Sequence, residues 1–173
     1  VQQHEERVEL EPLNEPVQNA RILIAEDNLI NQKLALNQLE KLGCRADTAA
    51  SGTEVLRILE THCYDIILMD CQMPELDGYE TTHRIRKTEK DVGVPARLHI
   101  IAVTAHALQG DREKCLEAGM DDYLSKPVML EALHAALKRW GEKQDGAGRP
   151  GVSAPRMAVP KAAEKPVDLS RLN

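Results

Sequence analysis

Residues 65–78 read Asp-Ile-Ile-Leu-Met-Asp-Cys-Gln-Met-Pro-Glu-Leu-Asp-Gly, and within them an uninterrupted apolar run ends abruptly at the carboxylate of Asp70. The run is too short for a buried helix and is followed by Pro74 and Gly78, which favours a fully buried parallel strand. Asp70 would then stand at the carboxyl end of that strand. Ligands of open α/β sheets bind at this end of the strands, so the groups that follow the other strands become candidates for the same site.

Three other apolar runs end in polar residues that suit one site. They end at Glu26 and Asp27 after residues 22–25, at Thr104 after residues 99–103, and at Lys126 after residues 123–125. If the strands are parallel, these groups meet Asp70 at one edge of the sheet. Three clustered carboxylates repel one another and need a cation to stay ionised, and Mg²⁺ prefers carboxylate, carbonyl and water oxygens. The set therefore predicts a divalent cation beside a phosphoryl group carried by Asp70.

Strand and helix patterns alternate from residue 21, which predicts βαβ units with right-handed crossovers. The predicted strands are residues 22–25, 45–49, 66–69, 99–104 and 123–125. The predicted helices are about residues 31–41, 52–60, 79–87, 109–118 and 129–140. Residues 88–98 are predicted to form a long solvent-facing connection. The stripe at Leu130, Leu133, Leu137 and Trp140 indicates ordinary core packing of the last helix.

Composition divides the chain into one domain and two tails. Residues 1–20 are acidic and carry two prolines, which predicts a flexible linker. Residues 21–140 are long enough to bury an adequate core. Residues 141–173 are rich in Gly, Pro, Ala and Lys, which predicts a second flexible linker. A further domain, such as a histidine phosphotransfer domain, could follow it.

Charge and cysteine usage exclude several classes of function. The net charge is −6 with dispersed basic residues, so the chain has no electrostatic footprint for nucleic acid. The four cysteines form no C-x-x-C pair, which indicates reduced thiols and a cytoplasmic location. No apolar run approaches the length of a membrane span, so no membrane contact is expected from this segment.

Four motifs resemble the receiver domain of two-component response regulators, and more narrowly the receivers attached to hybrid histidine kinases. They are Ile-Leu-Ile-Ala-Glu-Asp-Asn at 22–28, Met-Asp-Cys-Gln-Met-Pro-Glu-Leu-Asp-Gly at 69–78, Ala-Val-Thr-Ala at 102–105 and Leu-Ser-Lys-Pro at 124–127. The resemblance covers residues 20–140 in order and spacing. It implies an α/β fold, a doubly wound (βα)5 arrangement with a five-stranded parallel sheet in the flavodoxin-like order 2-1-3-4-5 and helices on both faces.

The resemblance also implies a role for each residue at the strand ends. Asp70 would be the phosphoacceptor, and Mg²⁺, or Mn²⁺ in its place, would be held by Asp27, Asp70 and the backbone carbonyl of Gln72. Glu26, where many receivers have Asp, would reach the metal through water. Lys126 would pair with the phosphoryl group and Thr104 would donate a hydrogen bond to it.

Further residues occupy positions that control the response in receivers. Tyr123 stands at the position of the aromatic switch, which moves inward as Thr104 shifts toward the phosphoryl group. Gln72 and His106 stand where side chains tune the lifetime of the phosphoryl group. The bond between Lys126 and Pro127 is usually cis in such domains.

The implied partner is a phosphohistidine donor, either a histidine kinase domain or a histidine phosphotransfer domain. No direct contact with nucleic acid or membrane is implied, and a homodimer is a further candidate. The segment would catalyse its own phosphorylation and dephosphorylation without being a turnover enzyme. The parent protein would be a hybrid histidine kinase, whether or not it is anchored in a membrane.

Each candidate residue also has an ordinary interpretation when it is taken alone. Asp70 could cap a turn, Glu26 and Asp27 could cap a helix, Lys126 could be solvated, and Thr104 and Tyr123 could be plain strand residues. Two rival classes share the chemistry or the topology. Phosphatases of the haloacid-dehalogenase type carry an Asp-x-Asp pair, whose second position here is Gln72, and an FMN binder would meet repulsion from the acids and few aromatic rings.

Overall fold

The elements alternate as the sequence predicts in a computed structural model, which describes residues 10–93, 97–105 and 109–146. The strands are β1 (Ile22–Ala25), β2 (Ala46–Ala49), β3 (Ile66–Asp70), β4 (His99–Thr104) and β5 (Asp122–Ser125). The helices are α1 (Glu15–Gln18), α2 (Leu29–Lys41), α3 (Gly52–Thr61), α4 (Gly78–Val92), α5 (Gln109–Ala118) and α6 (Leu130–Gly146). Across the described ranges, no helix is long and apolar enough to span a bilayer.

The five strands form one parallel sheet in the order β2-β1-β3-β4-β5. Successive side chains of a strand point to opposite faces, so β3 supplies two separate cores. Ile66 and Leu68 pack in the core that also includes residues of α2 and α6. Ile67 and Met69 pack in the core that also includes residues of α3, α4 and α5. The predicted fold class and strand order are therefore confirmed.

Helix α4 is longer than predicted and continues to Val92, and a half-buried ion cluster lies at its last turns. Glu89 is only 8% exposed, and its carboxylate accepts hydrogen bonds from Arg86 Nη1 at 2.8 Å and from the Leu98 backbone N–H at 2.8 Å. Arg86 Nη2 also donates to Asp121 Oδ2 at 2.7 Å. The prediction of a solvent-facing connection over residues 88–98 is therefore wrong at Glu89 and Leu98, both of which are buried.

The segment before β1 is not a free linker over its described part, residues 10–20. Leu13 and Val17 are buried in the core beside α6. His134 Nε2 donates to the backbone carbonyl of Glu11 at 2.6 Å, so α6 fixes this segment by polar contact as well. Helix α6 itself continues six residues beyond Trp140 to Gly146, past the predicted domain boundary. Residues 1–9 and 147–173 lie outside the described residues.

Candidate functional site

The carboxyl ends of β1 and β3 bring three acidic side chains together. Asp70 is the last residue of β3 and is 3% exposed, and Glu26, directly after β1, is 6% exposed. Asp27 is exposed to solvent. One carboxylate oxygen from each of the three residues lies within 4.8 Å of the others. The sheet topology therefore assembles the acidic cluster that the strand ends predict.

Lys126 reaches into this cluster from the end of β5. Its Nζ lies 3.0 Å from Asp70 Oδ2 and 3.1 Å from Glu26 Oε2. Burial alone would lower the pKa of Lys126, but the hydrogen bonds to Asp70 and Glu26 outweigh this effect and raise it. The ammonium group therefore stays charged and offsets the repulsion between the two buried carboxylates. The peptide bond between Lys126 and Pro127 is cis, as the resemblance implies.

Thr104 lies at the same edge of the sheet. Asp70 pairs with Val103 in the register of β3 and β4, so Thr104 stands one residue beyond Asp70 on the neighbouring strand. Thr104 is 6% exposed, and its backbone carbonyl accepts a hydrogen bond from the Lys126 N–H at 2.8 Å. All four predicted strand ends thus lie at the same edge of the sheet.

The start of α2 holds the acidic pair in place. Asn28 caps the helix, because its Oδ1 accepts hydrogen bonds from the backbone N–H groups of Ile30 and Asn31. Neither Glu26 nor Asp27 is the N-cap, which removes the simplest ordinary interpretation of that pair. The backbone N–H of Asn28 instead donates to Glu26 Oε1 at 3.1 Å. An asparagine before a helix is a recognisable capping signal, so the helix cap at Asn28 could have been found in the sequence.

The two carboxylate oxygens of Asp70 make different contacts. Its Oδ1 accepts a hydrogen bond from the Gln72 backbone N–H at 3.0 Å, so the turn-capping interpretation is correct for one of its two oxygens. Its Oδ2 faces Lys126. The Gln72 side chain is exposed to solvent. His106, the second predicted lifetime residue, lies outside the described residues.

Tyr123 is half-buried in β5 and packs against the core beneath α5. The guanidinium carbon of Arg112, on α5, lies 5.5 Å from the centre of the Tyr123 ring, within the range of a cation–π contact. This contact has no signal in the sequence, because Arg112 and Tyr123 lie on different elements. Cys71, beside the nucleophile candidate, is buried, and burial raises the pKa of its thiol to about 12. Cys71 is thus a protonated core thiol.

The donor set fits a hard divalent cation. The three clustered groups are all carboxylates, which supply the oxygen ligands that Mg²⁺ prefers. Asp27 keeps the cluster accessible to solvent, so an ion that retains several waters can enter. Lys126 already neutralises part of the charge at Asp70 and Glu26, and the exposed Asp27 carries further negative charge for a cation to balance.

Comparison with known proteins gives the same interpretation as the geometry. Residues 22–138 match the family model of the response regulator receiver domain. The hybrid signal transduction histidine kinase K of Dictyostelium discoideum is 41% identical over 126 residues, which are 71% of this chain and 10% of that protein. The chain thus spans only about a tenth of the length of this curated relative.

Two solved structures are similar over almost their whole length. The receiver domain of the sensor histidine kinase PA1611 from Pseudomonas aeruginosa, solved with a magnesium ion in its active site cleft, is 47% identical with a TM-score of 0.62. The match covers 71% of this chain and 98% of that one. The Saccharomyces cerevisiae complex of the histidine phosphotransfer protein Ypd1 with the Ssk1 receiver is 37% identical with a TM-score of 0.69, covering 72% of this chain and 90% of that one.

Proposed function

The chain belongs to the response regulator receiver domain family, and we propose that Asp70 is its phosphoacceptor. The observation that supports this role is the position of Asp70 Oδ2, which is buried at the end of β3 and only 3.0 Å from Lys126 Nζ. A carboxylate held beside a fixed cation can take a phosphoryl group because the ammonium offsets charge on the phosphoryl oxygens. Phosphoryl transfer requires mainly such positioning and charge compensation.

The proposed reaction is transfer from a phosphohistidine to Asp70. The Asp70 oxygen forms a bond to phosphorus while the bond from phosphorus to the imidazole nitrogen breaks, and the electron pair of that bond stays on the imidazole. The product is an aspartyl phosphate. Lys126 pairs with the phosphoryl oxygens, and Thr104, at the adjoining strand end, donates a hydrogen bond to them.

Magnesium is the proposed cofactor, and the crystal structure of the PA1611 receiver has a magnesium ion coordinated in its active site cleft. The carboxylates of Asp27 and Asp70 and the backbone carbonyl of Gln72 would hold it, with Glu26 acting through water. When bound, it would neutralise charge on the transferring phosphoryl group. Both buried carboxylates, Asp70 and Glu26, already contact Lys126 Nζ, at 3.0 and 3.1 Å, whereas Asp27 is exposed and open to a cation.

The proposed donor is a histidine phosphotransfer domain or the phosphohistidine domain of a kinase. Its histidine must reach Asp70, so the donor has to cover this edge of the sheet. The neighbouring first turns of α2 present exposed apolar side chains, with Leu29 68%, Ile30 76% and Leu34 44% exposed. Leu34 also lines a hollow of about 60 Å³ whose wall includes Lys126. We assign this α2 patch, defined by Leu29, Ile30 and Leu34, to donor docking, and we propose a hybrid histidine kinase as the parent protein.

Acetyl phosphate tests the proposal without a protein partner. In the presence of Mg²⁺, intact-mass spectrometry should show the addition of one phosphoryl group to the wild type. Asp70→Asn, which keeps the side-chain shape, should remain unlabelled. Equal labelling of the two proteins would contradict the assignment of Asp70.

A further inference from the structure

Helix α2 holds both loops that deliver charged groups to the site, through two glutamine side chains. Gln32 Nε2 donates to the backbone carbonyl of Glu26 at 2.6 Å. Gln38 Nε2 donates to the backbone carbonyl of Val128, also at 2.6 Å. The first loop carries the acidic pair after β1, and the second carries Lys126 after β5. The two contacts are six residues apart on the helix, or roughly 9 Å along its axis.

Gln32 occupies a position where burial argues against a polar side chain. Gln32 and Leu39 are the two buried residues of α2, and Gln32 is 8% exposed. A buried amide is unfavourable unless it is hydrogen-bonded, and its hydrogen bond here goes to the backbone of a residue that faces Lys126. The contact therefore fixes where the chain leaves β1 and turns toward Asp27.

Gln38 makes one hydrogen bond with its side-chain amide and leaves the amide oxygen without a partner among the described residues. This oxygen, Oε1, is buried. An unsatisfied buried oxygen is destabilising, which offsets much of the stability that the bond to Val128 provides. The remaining consequence of this side chain is positional, because it fixes the Val128 carbonyl two residues after Lys126.

We propose that Gln32 and Gln38 are positioning residues with separate effects, Gln32 acting on the metal-binding acids and Gln38 acting on Lys126. The inference rests on the proposed function of the site. Because each glutamine holds a different loop, its loss should disturb a different step. Gln32 should control the affinity for Mg²⁺, whereas Gln38 should control the rate of phosphorylation once Mg²⁺ is saturating.

The experiment compares the wild type with Gln32→Met and Gln38→Met, which keep the side-chain length and remove the donor. Isothermal titration calorimetry measures Mg²⁺ affinity, and intact-mass time courses with acetyl phosphate measure the phosphorylation rate. Gln32→Met should weaken Mg²⁺ binding roughly tenfold, the lower end of the usual effect of residues that orient metal ligands. Gln38→Met should leave Mg²⁺ affinity unchanged and slow phosphorylation at saturating Mg²⁺ by roughly tenfold, since small misplacements of reacting groups are costly.

Gln18 provides a matched control. Its Nε2 donates to the Leu13 carbonyl at 2.7 Å in the segment before β1, away from the acidic cluster. Gln18→Met should therefore leave both measured quantities at their wild-type values. If Gln38→Met does not fold, Gln38→Asn keeps the amide and shortens its reach, and the same slowing is expected.

The outcomes separate this inference from the function on which it rests. If the wild type takes no phosphoryl group, the assignment of Asp70 fails. If the wild type is labelled but both glutamine variants match it, only the positioning role is overturned. Equal losses of affinity and rate in both variants, or in Gln18→Met as well, would also overturn it, because they indicate general loosening of the fold.

Discussion

Gly78 packs directly against the backbone of Asp70, so that a Cβ on Gly78 would overlap the Asp70 carbonyl oxygen. The Gly78 N–H also donates to the Cys71 carbonyl at 3.2 Å, which closes the loop between β3 and α4. The first residue of α4 thus rests on the backbone of the residue proposed to accept phosphate. A glycine is therefore required at position 78, because two chain segments approach each other closely there.

Gly78→Ala should destabilise the domain and slow phosphorylation. Accommodating the methyl group requires the Asp70 backbone to move, and overpacking of this kind costs about 1 to 3 kcal/mol in the free energy of unfolding. Urea denaturation and acetyl phosphate labelling measure the two effects. Gly110→Ala is the control, because a Cβ there meets no atom within 4 Å, and it should not destabilise the domain, with any gain in the free energy of unfolding below about 1 kcal/mol. Similar stability changes in both variants would contradict the packing argument.

Val17→Ala should show whether the segment before β1 belongs to the folded domain. Val17 is fully buried beside α6, so we expect a loss of about 1 to 3 kcal/mol in the free energy of unfolding from lost burial and the resulting cavity. Chemical denaturation measures it. Val92→Ala is the control, since Val92 is 39% exposed and should change stability by less than about 0.5 kcal/mol. A Val17→Ala variant as stable as the wild type would restore the interpretation of residues 10–20 as a free linker.

The residues of the candidate site could be predicted from the sequence more completely than the boundaries of the domain. Four of the five strands, β1, β3, β4 and β5, end at or just before a polar residue that stands out after an apolar run. Parallel topology then places Asp70, Thr104 and Lys126 at one edge of the sheet without any knowledge of side-chain contacts. The burial of Leu13 and Val17 carries no such signal, because it depends on a surface formed by α6, far away in the sequence. An acidic, proline-containing segment is compositionally indistinguishable from a linker until that surface is known.

The extension of α4 and the contacts of α2 with the site could not be predicted either, because they also depend on partners that are distant in the sequence. In the sequence, Glu89 and Arg86 look like exposed helix charges, but Asp121 and the Leu98 backbone, distant in sequence, complete a half-buried cluster around them. Gln32 and Gln38 likewise read as polar surface residues. Their partners are backbone carbonyls of other loops, and a backbone carbonyl leaves no mark in a sequence.

His99 should make the domain less stable below about pH 6.5. It lies at the start of β4 facing Asp121, Arg86 and Lys143, and burial lowers its pKa in spite of the nearby Asp121. The folded state therefore holds the neutral imidazole, while the unfolded chain takes up a proton near its unperturbed pKa of about 6.5. The contribution of neutral His99 to stability is complete above that pH and is lost as the pH falls toward the folded-state pKa.

His99→Gln should therefore flatten the dependence of the unfolding free energy on pH between about 6.5 and 5, a range above the titration of ordinary carboxylates. Urea denaturation across this range measures the slope. His62→Gln is the matched control, because His62 is exposed, and it should retain the wild-type slope. An unchanged slope in His99→Gln would show that other groups cause the acid sensitivity.

Ile30→Glu should slow phosphotransfer from a protein donor while leaving small-molecule phosphorylation intact. Ile30 is 76% exposed at the start of α2, so the substitution places a charge in the α2 patch without disturbing the core. Burying an unpaired carboxylate against a docking helix is unfavourable, and we expect phosphotransfer to slow by at least about tenfold.

Phosphorylated Ypd1, the partner of the Ssk1 receiver in the solved complex, serves as the donor for this test, and acetyl phosphate reports the intrinsic reactivity. Leu116→Glu on α5, where Leu116 is 51% exposed, is the control and should accept phosphate from both donors at the wild-type rate. Slowing in Leu116→Glu alone would move the docking surface from α2 to α5.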